Sequence, residues 1–255
     1  MNHPVLLSYD DGGRGGLPIV FLHSGGGRPS HFTPLLAHFR RQARAVAIEL
    51  RGHGTTPPPG PGSPGITLLA QDLALTLDHL GLEKFVLVGH SLGGTVAVLY
   101  AGAQPHRVAG LFLIDPCSDG RQVPKEAAQG LLAALRSDAY AEVIGGYYRE
   151  QLQGARYEVE TQVLADLMAT PPATVIHFLE ALLEVDPVTP LLAYPGPKFS
   201  LITAANETPS ALQALVPSLS FEKLEGTSHW IHLDDPARVA VRLERFVAEL
   251  SRPTR

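Results

Sequence analysis

Apolar residues along this chain follow two rhythms. The first is a series of short unbroken runs: Ile19-Val20-Phe21-Leu22, Ala45-Val46-Ala47-Ile48 leading into Glu49, Phe85-Val86-Leu87-Val88, Leu111-Phe112-Leu113-Ile114, and Phe199-Ser200-Leu201-Ile202-Thr203. Runs this short, apolar at nearly every position, fit strands covered on both faces. The second rhythm is helical. Leu69, Leu73, Leu77 and Leu80 recur at helical spacing, with Thr67 placed to cap the segment and Gly81 to stop it. Val239, Leu243, Phe246, Val247 and Leu250 do the same after Asp235 and Pro236, a cap residue and a first-turn proline. Residues 5–9 form a further strand candidate before a glycine-rich turn over 10–16. Residues 35–41 read as a helix end, and 220–224 as the last strand.

Strand and helix alternate as far as Asp115, which argues for an α/β fold: a mostly parallel, doubly wound sheet. The alternation then lapses. Residues 124–187 carry only helical patches, among them Leu131 with Leu135, Val159 with Val163 and Leu167, and Phe178 with Leu182. This is an all-helical insertion, expected to pack as a cap over the strand ends and wall a pocket there. The expected division is a core of residues 1–115 and 198–255 with a cap of 116–197. Proline and glycine concentrate at 57–65 and 195–197, which read as loop and break.

Composition narrows the class. The 255 residues are 45% hydrophobic and 18% charged, a mixture that supports one large globular domain. The formal charge of −5, without a long basic run, points away from nucleic acid and acidic membranes. No apolar run approaches a membrane span, and the first nine residues lack the pattern of a signal peptide. The single Cys117 excludes an intramolecular disulfide and suits a cytoplasmic location. It reads as a small buried thiol. Eleven histidines invite a metal, but none shows H-E-x-x-H or comparable spacing, so neither metal nor cofactor is expected.

The candidate chemistry centres on residues 85–95, Phe-Val-Leu-Val-Gly-His-Ser-Leu-Gly-Gly-Thr. An apolar strand stops at Gly89, and a helical run follows Gly93. Between them Ser91 sits on a sharp strand-to-helix corner, where glycines allow the backbones to approach closely. The corner exposes the hydroxyl, and the helix behind it directs free N–H groups at negative charge. The first buried strand likewise ends in His23-Ser24-Gly25-Gly26-Gly27. If the two strands are neighbours, the Gly25 and Leu92 N–H groups pair as an oxyanion hole. His23, Ser91 and Asp115 all lie at carboxyl ends of strands, where sites form in such sheets. Arg51 and His53 are read as fixing their own loop by hydrogen bonds.

Taken in order, these motifs resemble the α/β-hydrolase family: His-Ser-Gly-Gly-Gly, Arg-Gly-His-Gly at 51–54, Gly-His-Ser-Leu-Gly-Gly, a helical insertion, and Gly-Thr-Ser-His-Trp at 226–230. The resemblance covers nearly the whole chain. It implies Ser91 as nucleophile and His229 as base. The family's chain order places the acid between them, usually after the strand that follows the cap. Glu207 fits that place and is the first choice, although aspartate is commoner there. Asp115, ending the strand before the cap, is the alternative, and Asp119 a third. Ser24 stands where the family usually has glycine; Ser24, His90 and Trp230 are the candidate substrate contacts. Glu49, where an aspartate is frequent, is read as structural.

The resemblance implies a cofactor-independent serine hydrolase, cleaving a carboxylic ester of a small, apolar substrate through an acyl-enzyme. The same residues also serve lactones, thioesters, amides and carbon–carbon bonds in this family. A receptor for a small ligand on the same fold, with vestigial turnover, is the reading from another class.

Overall fold

The computed structural model describes residues 3–60 and 62–250. Pro61, within the loop expected over 57–65, lies outside the described residues. Seven strands form one sheet: β1 (Tyr9–Gly12), β2 (Ile19–Leu22), β3 (Ala45–Ile48), β4 (Phe85–His90), β5 (Val108–Ile114), β6 (Lys198–Ile202) and β7 (Ser220–Lys223). Their order across the sheet is β1-β3-β2-β4-β5-β6-β7. β1 runs antiparallel to β3, and every other neighbouring pair is parallel. The helices are α1 (Thr33–Phe39), α2 (Ile66–His79), α3 (Leu92–Ala103), α4 (Lys125–Leu135), α5 (Tyr140–Gln151), α6 (Tyr157–Met168), α7 (Pro172–Glu184), α8 (Val188–Ala193), the short α9 (Leu212–Leu215) and α10 (Ile231–Asp234), and α11 (Pro236–Leu250).

The apolar runs are continuous because both faces of the sheet are covered. Within each strand alternate residues enter opposite cores, as the two-residue period of a strand requires. Val20, Leu22, Val46, Leu87 and Leu113 pack with α2 and α3. Ile19, Phe21, Val86, Val88 and Phe112 pack with α1 and α11. A third cluster belongs to the insertion. There Ile144, Tyr148, Val163, Leu167 and Val175 from α5, α6 and α7 surround Trp230. The cap is therefore nailed to the core by an indole from the loop after β7. α8 turns back onto the sheet: Leu191 and Tyr194 are fully buried in the α2/α3 core, and the Tyr194 hydroxyl donates to the Val108 carbonyl at 2.9 Å.

Two local expectations shift. The first strand is at Tyr9–Gly12, sharing only Tyr9 with the expected strand and otherwise lying in the expected turn, where Arg40 and Arg44 pair with Asp10 and Asp11 on the edge beside β3. The segment before it docks through side chains instead, with the Val5 N–H on Asp72 and the Leu7 N–H on Thr76. α2 starts at Ile66 after Gly65, whose φ of +60° occupies the left-handed region, so Thr67 lies inside the first turn. Asp235 does cap α11, its carboxylate accepting the Arg238 N–H at 3.0 Å. Among the described residues no helix is long and apolar enough to cross a membrane.

Candidate active site

The corner after β4 is as tight as its glycines imply. A Cβ on Gly93 would collide with the carbonyl oxygens of Leu22 and His23. One on Gly89 would meet the Gly93 carbonyl and lie 2.7 Å from the Gly94 Cα. Ser91 between them has φ 52°. A non-glycine residue is held there only when its surroundings force it, a frequent device at active sites. The surroundings here are its own N–H on the Ile114 carbonyl of β5 and its carbonyl on the N–H groups of Gly94 and Thr95. Ser91 borders a cavity of about 770 Å³ that lies between the strand ends and the cap.

Two backbone donors face the same cavity. Leu92 opens α3, so its N–H has no partner within the helix. In the loop after β2, the Gly26 N–H donates to His53 Nε2 at 3.0 Å and the Gly27 N–H to the Ser24 carbonyl at 3.0 Å. That leaves Gly25, whose N–H is engaged in no turn or cap hydrogen bond among the described residues. The Gly25 carbonyl accepts from the Tyr148 hydroxyl of α5 at 2.8 Å, which fixes the orientation of this peptide from the cap side. Burial pushes the Tyr148 phenol far up, so it stays a donor. His23 and His53 brace the loop: His23 spans from the Ser24 carbonyl to the Leu50 N–H, and the two rings meet edge to face at 4.9 Å.

His229 borders the same cavity, from the loop after β7. Its Nδ1 donates to Asp115 Oδ2 over 2.6 Å. Its own N–H is held by the Gln151 carbonyl at the end of α5. Asp115, at the end of β5, is the other non-glycine residue with positive φ among the described residues, at 39°. Oδ1 accepts the Thr203 N–H at 2.8 Å and the Asn206 amide at 3.1 Å, both from the loop after β6. Burial pushes this carboxyl up, but the His229 ring together with the Thr203 and Asn206 donors outweighs burial and holds it below its ordinary value. The carboxylate is thus charged, and it accepts from His229 Nδ1, so Nε2 is the ring nitrogen that Asp115 does not hold.

The expectation that Glu207 stands behind His229 is not met. Glu207 is half-exposed and pairs with Lys223 at 2.9 Å. The short 3₁₀ turn Ala204–Asn206 rotates it outward. What this loop contributes is Thr203 and Asn206, which hold Asp115. Asp119 is also elsewhere: it caps the next turn on the Arg121 N–H and forms a two-pronged pair with the Arg121 guanidinium at 2.8 and 2.9 Å.

None of the three expected substrate contacts borders the cavity. Ser24 is buried beneath the donor loop, 2% exposed. His90 is completely buried behind His229, with Nε2 donating to the His229 carbonyl at 3.0 Å and the rings 4.7 Å apart. Burial, and next the neighbouring His232 and His229, push His90 well below its ordinary value, so it stays neutral. Trp230 is the cap anchor described above. Conversely, Cys117 is a neighbour of the nucleophile candidate: its Sγ lies 3.6 Å from Ser91 Oγ. Burial pushes the thiol up, keeping it protonated and able to donate. Only its position two residues past Asp115 hinted at this. Arg51 makes a fully buried two-pronged pair with Asp72, at 2.7 and 2.6 Å, so it serves its loop. Among the described residues no group of three or more His, Cys, Asp or Glu side chains is arranged to hold a metal.

The arrangement brings a hydroxyl, an imidazole hydrogen-bonded to a carboxylate, and two backbone N–H groups to one cavity. A sequence model described as the Alpha/beta hydrolase family matches residues 19–242. The sn-1-specific diacylglycerol lipase ABHD11 of Danio rerio is 25% identical over 260 residues, covering 91% of this chain and 80% of that protein. The dihydrolipoyllysine-residue acetyltransferase component of the acetoin cleaving system of Pseudomonas putida is 35% identical over 138 residues, 53% of this chain. The match spans only 36% of that longer protein. Among solved structures, a thermophilic esterase from Thermogutta terrifontis superposes with a TM-score of 0.82 at 24% identity, covering 96% of this chain and 94% of that one; at that identity the likeness speaks for the fold.

Proposed function

This chain belongs to the alpha/beta hydrolase family, and on that premise we propose that it is a serine hydrolase that cleaves carboxylic esters of small, apolar substrates through an acyl-enzyme. In this reading residues 116–197 are the cap of a core made from 1–115 and 198–255. The observation that carries the proposal is the 2.6 Å hydrogen bond that Asp115 accepts from His229 Nδ1 beside the cavity that Ser91 borders.

The steps follow from the chemistry of the groups. Ser91 is barely ionised at neutral pH and needs a base. Its hydroxyl turns from Cys117 toward His229 Nε2 and gives up its proton as Oγ bonds to the carbonyl carbon. In unliganded enzymes such contacts are often long and tighten only with substrate bound. The charge on the former carbonyl oxygen faces the N–H groups of Gly25 and Leu92. One such donor is typically worth about 3 kcal/mol in the transition state. Asp115 stabilises the imidazolium, which protonates the departing alcohol. A water activated by His229 then releases the acid and frees Ser91.

The test is intact-mass labelling with a fluorophosphonate, together with turnover of p-nitrophenyl butyrate and a lactone and amide panel. The wild type is expected to be labelled once, at Ser91, and to turn over many times per chain. Ser91→Ala should lose both while staying folded. Undiminished ester turnover by that variant overturns the proposal, and a stall after one product per chain indicates a ligand receptor.

A further inference from the structure

A tetrahedral intermediate on Ser91 has four substituents: Oγ, the oxyanion, the leaving oxygen at His229, and the acyl chain. The first three have assigned places, so the acyl chain takes the remaining direction. The cavity walls differ in kind around this centre. Beside His229 the wall comes from the end of α5 and the loop after β7, with Gln151, Gln153, Glu150 and Thr227 along it. Glu150 and Gln153 are exposed, so this edge opens to solvent. A second wall comes from α4 and α7, where Leu131, Phe178, Leu179 and Leu182 face the cavity. Phe178 lies parallel to the His53 ring at 6.1 Å, behind the donor loop, and the Leu182 backbone closes against Gly120.

Charge sharpens the contrast. Among the described residues no lysine or arginine borders the cavity. Its carboxylates are Asp115, Asp119 and Glu150. Asp119 is already matched by Arg121. A carboxylate at the end of an acyl chain would lose its water against leucines, with no counter-charge and with Asp115 nearby.

Resting on the hydrolase reading above, we propose that the cavity selects uncharged aliphatic acyl groups against the α4/α7 wall, rejects anionic ones, and places a polar, neutral or cationic alcohol portion at the open edge beside Gln151 and Glu150. The volume of about 770 Å³ lies within the roughly 300–1,000 Å³ of small-molecule sites.

The decisive comparison uses p-nitrophenyl octanoate and p-nitrophenyl hydrogen suberate, which share leaving group and chain length and differ in a terminal methyl against a terminal carboxylate. The octanoate is expected to exceed the suberate by about 100-fold in kcat/KM, and to exceed the acetate by about tenfold or more. Leu182→Arg, or Leu131→Arg if the first does not fold, is expected to shift the octanoate-to-suberate ratio toward the suberate by at least about tenfold. A wild-type ratio within threefold overturns the inference, as does a ratio that a folded arginine variant leaves unmoved. An octylphosphonofluoridate and its ω-carboxylate counterpart read the same selectivity from the rate of Ser91 labelling, without turnover. Equal labelling rates overturn the selectivity alone. No labelling and no hydrolysis overturn the hydrolase reading, and this inference with it.

Discussion

Asp115 and His229 are 114 residues apart in the chain and are joined by a hydrogen bond of 2.6 Å. They meet although β6 and β7 intervene between the end of β5 and the His229 loop. Thr203 and Asn206, from the loop after β6, donate to the same carboxylate.

Exchanging the two candidate acids separates them. Asp115→Asn keeps the shape but removes the charge and the acceptor that places the proton on Nδ1. Its kcat on a p-nitrophenyl ester is expected to fall by ~10³–10⁴-fold. Glu207→Gln loses an exposed pair with Lys223 and should stay within about twofold, since exposed pairs are worth little. The opposite pattern would restore Glu207 as the acid.

Gly93→Ala is expected to destabilise the protein by roughly 2–4 kcal/mol, because the added methyl would meet backbone carbonyls of Leu22 and His23 that cannot rotate away. Urea unfolding followed by circular dichroism measures it. An alanine at Gly146, where a Cβ meets nothing within 4 Å, is the control and should not lower stability.

Asp72→Ala leaves the Arg51 guanidinium inside the core without its buried carboxylate, and also strips the acceptor of the Val5 N–H. A loss of about 3–5 kcal/mol is expected. Residual activity per folded molecule should be largely kept, because neither residue borders the cavity. A large fall in kcat with stability unchanged would give Arg51 a catalytic part instead.

Stability should decline on mild acidification. His53 is lowered from 6.5 to about 4, chiefly by burial, and His23, His90 and His232 are also lowered well below 6.5 for the same first reason. A histidine kept neutral in the fold takes up its proton only on unfolding. Its stabilising contribution is complete above 6.5 and drains away between 6.5 and the folded value. For His53 this amounts to on the order of 2 kcal/mol between pH 7.5 and 5. The Tm is therefore expected to drop between those pH values. His232→Phe, replacing a ring stacked at 4.8 Å on Phe32, should show a smaller drop. An equal drop in both proteins would assign the acid sensitivity to other groups.

The local requirements of this protein are written in its sequence. Strands apolar at nearly every position can be satisfied only inside a doubly covered sheet, so β2 was readable to the residue and β4 from its first residue, its end running on to His90. The glycines around Ser91 answer a steric demand that acts within a few residues, and the corner could be read from them directly. What neighbours across the sheet do to one another had no such local mark. Asp115 directly follows β5, and Glu207 lies in the loop after β6. The choice between them depends on the register of β5 with β6, Ile114 opposite Leu201, and on a 3₁₀ turn that swings Glu207 toward Lys223. Side-chain direction at a strand end is likewise settled by packing. That is why Ser24, His90 and Trp230, themselves members of the motifs, point into the protein, while Cys117, in no motif, touches the Ser91 hydroxyl. Residue type and spacing specify which groups are present. Only the packed sheet decides which of them share a hydrogen bond.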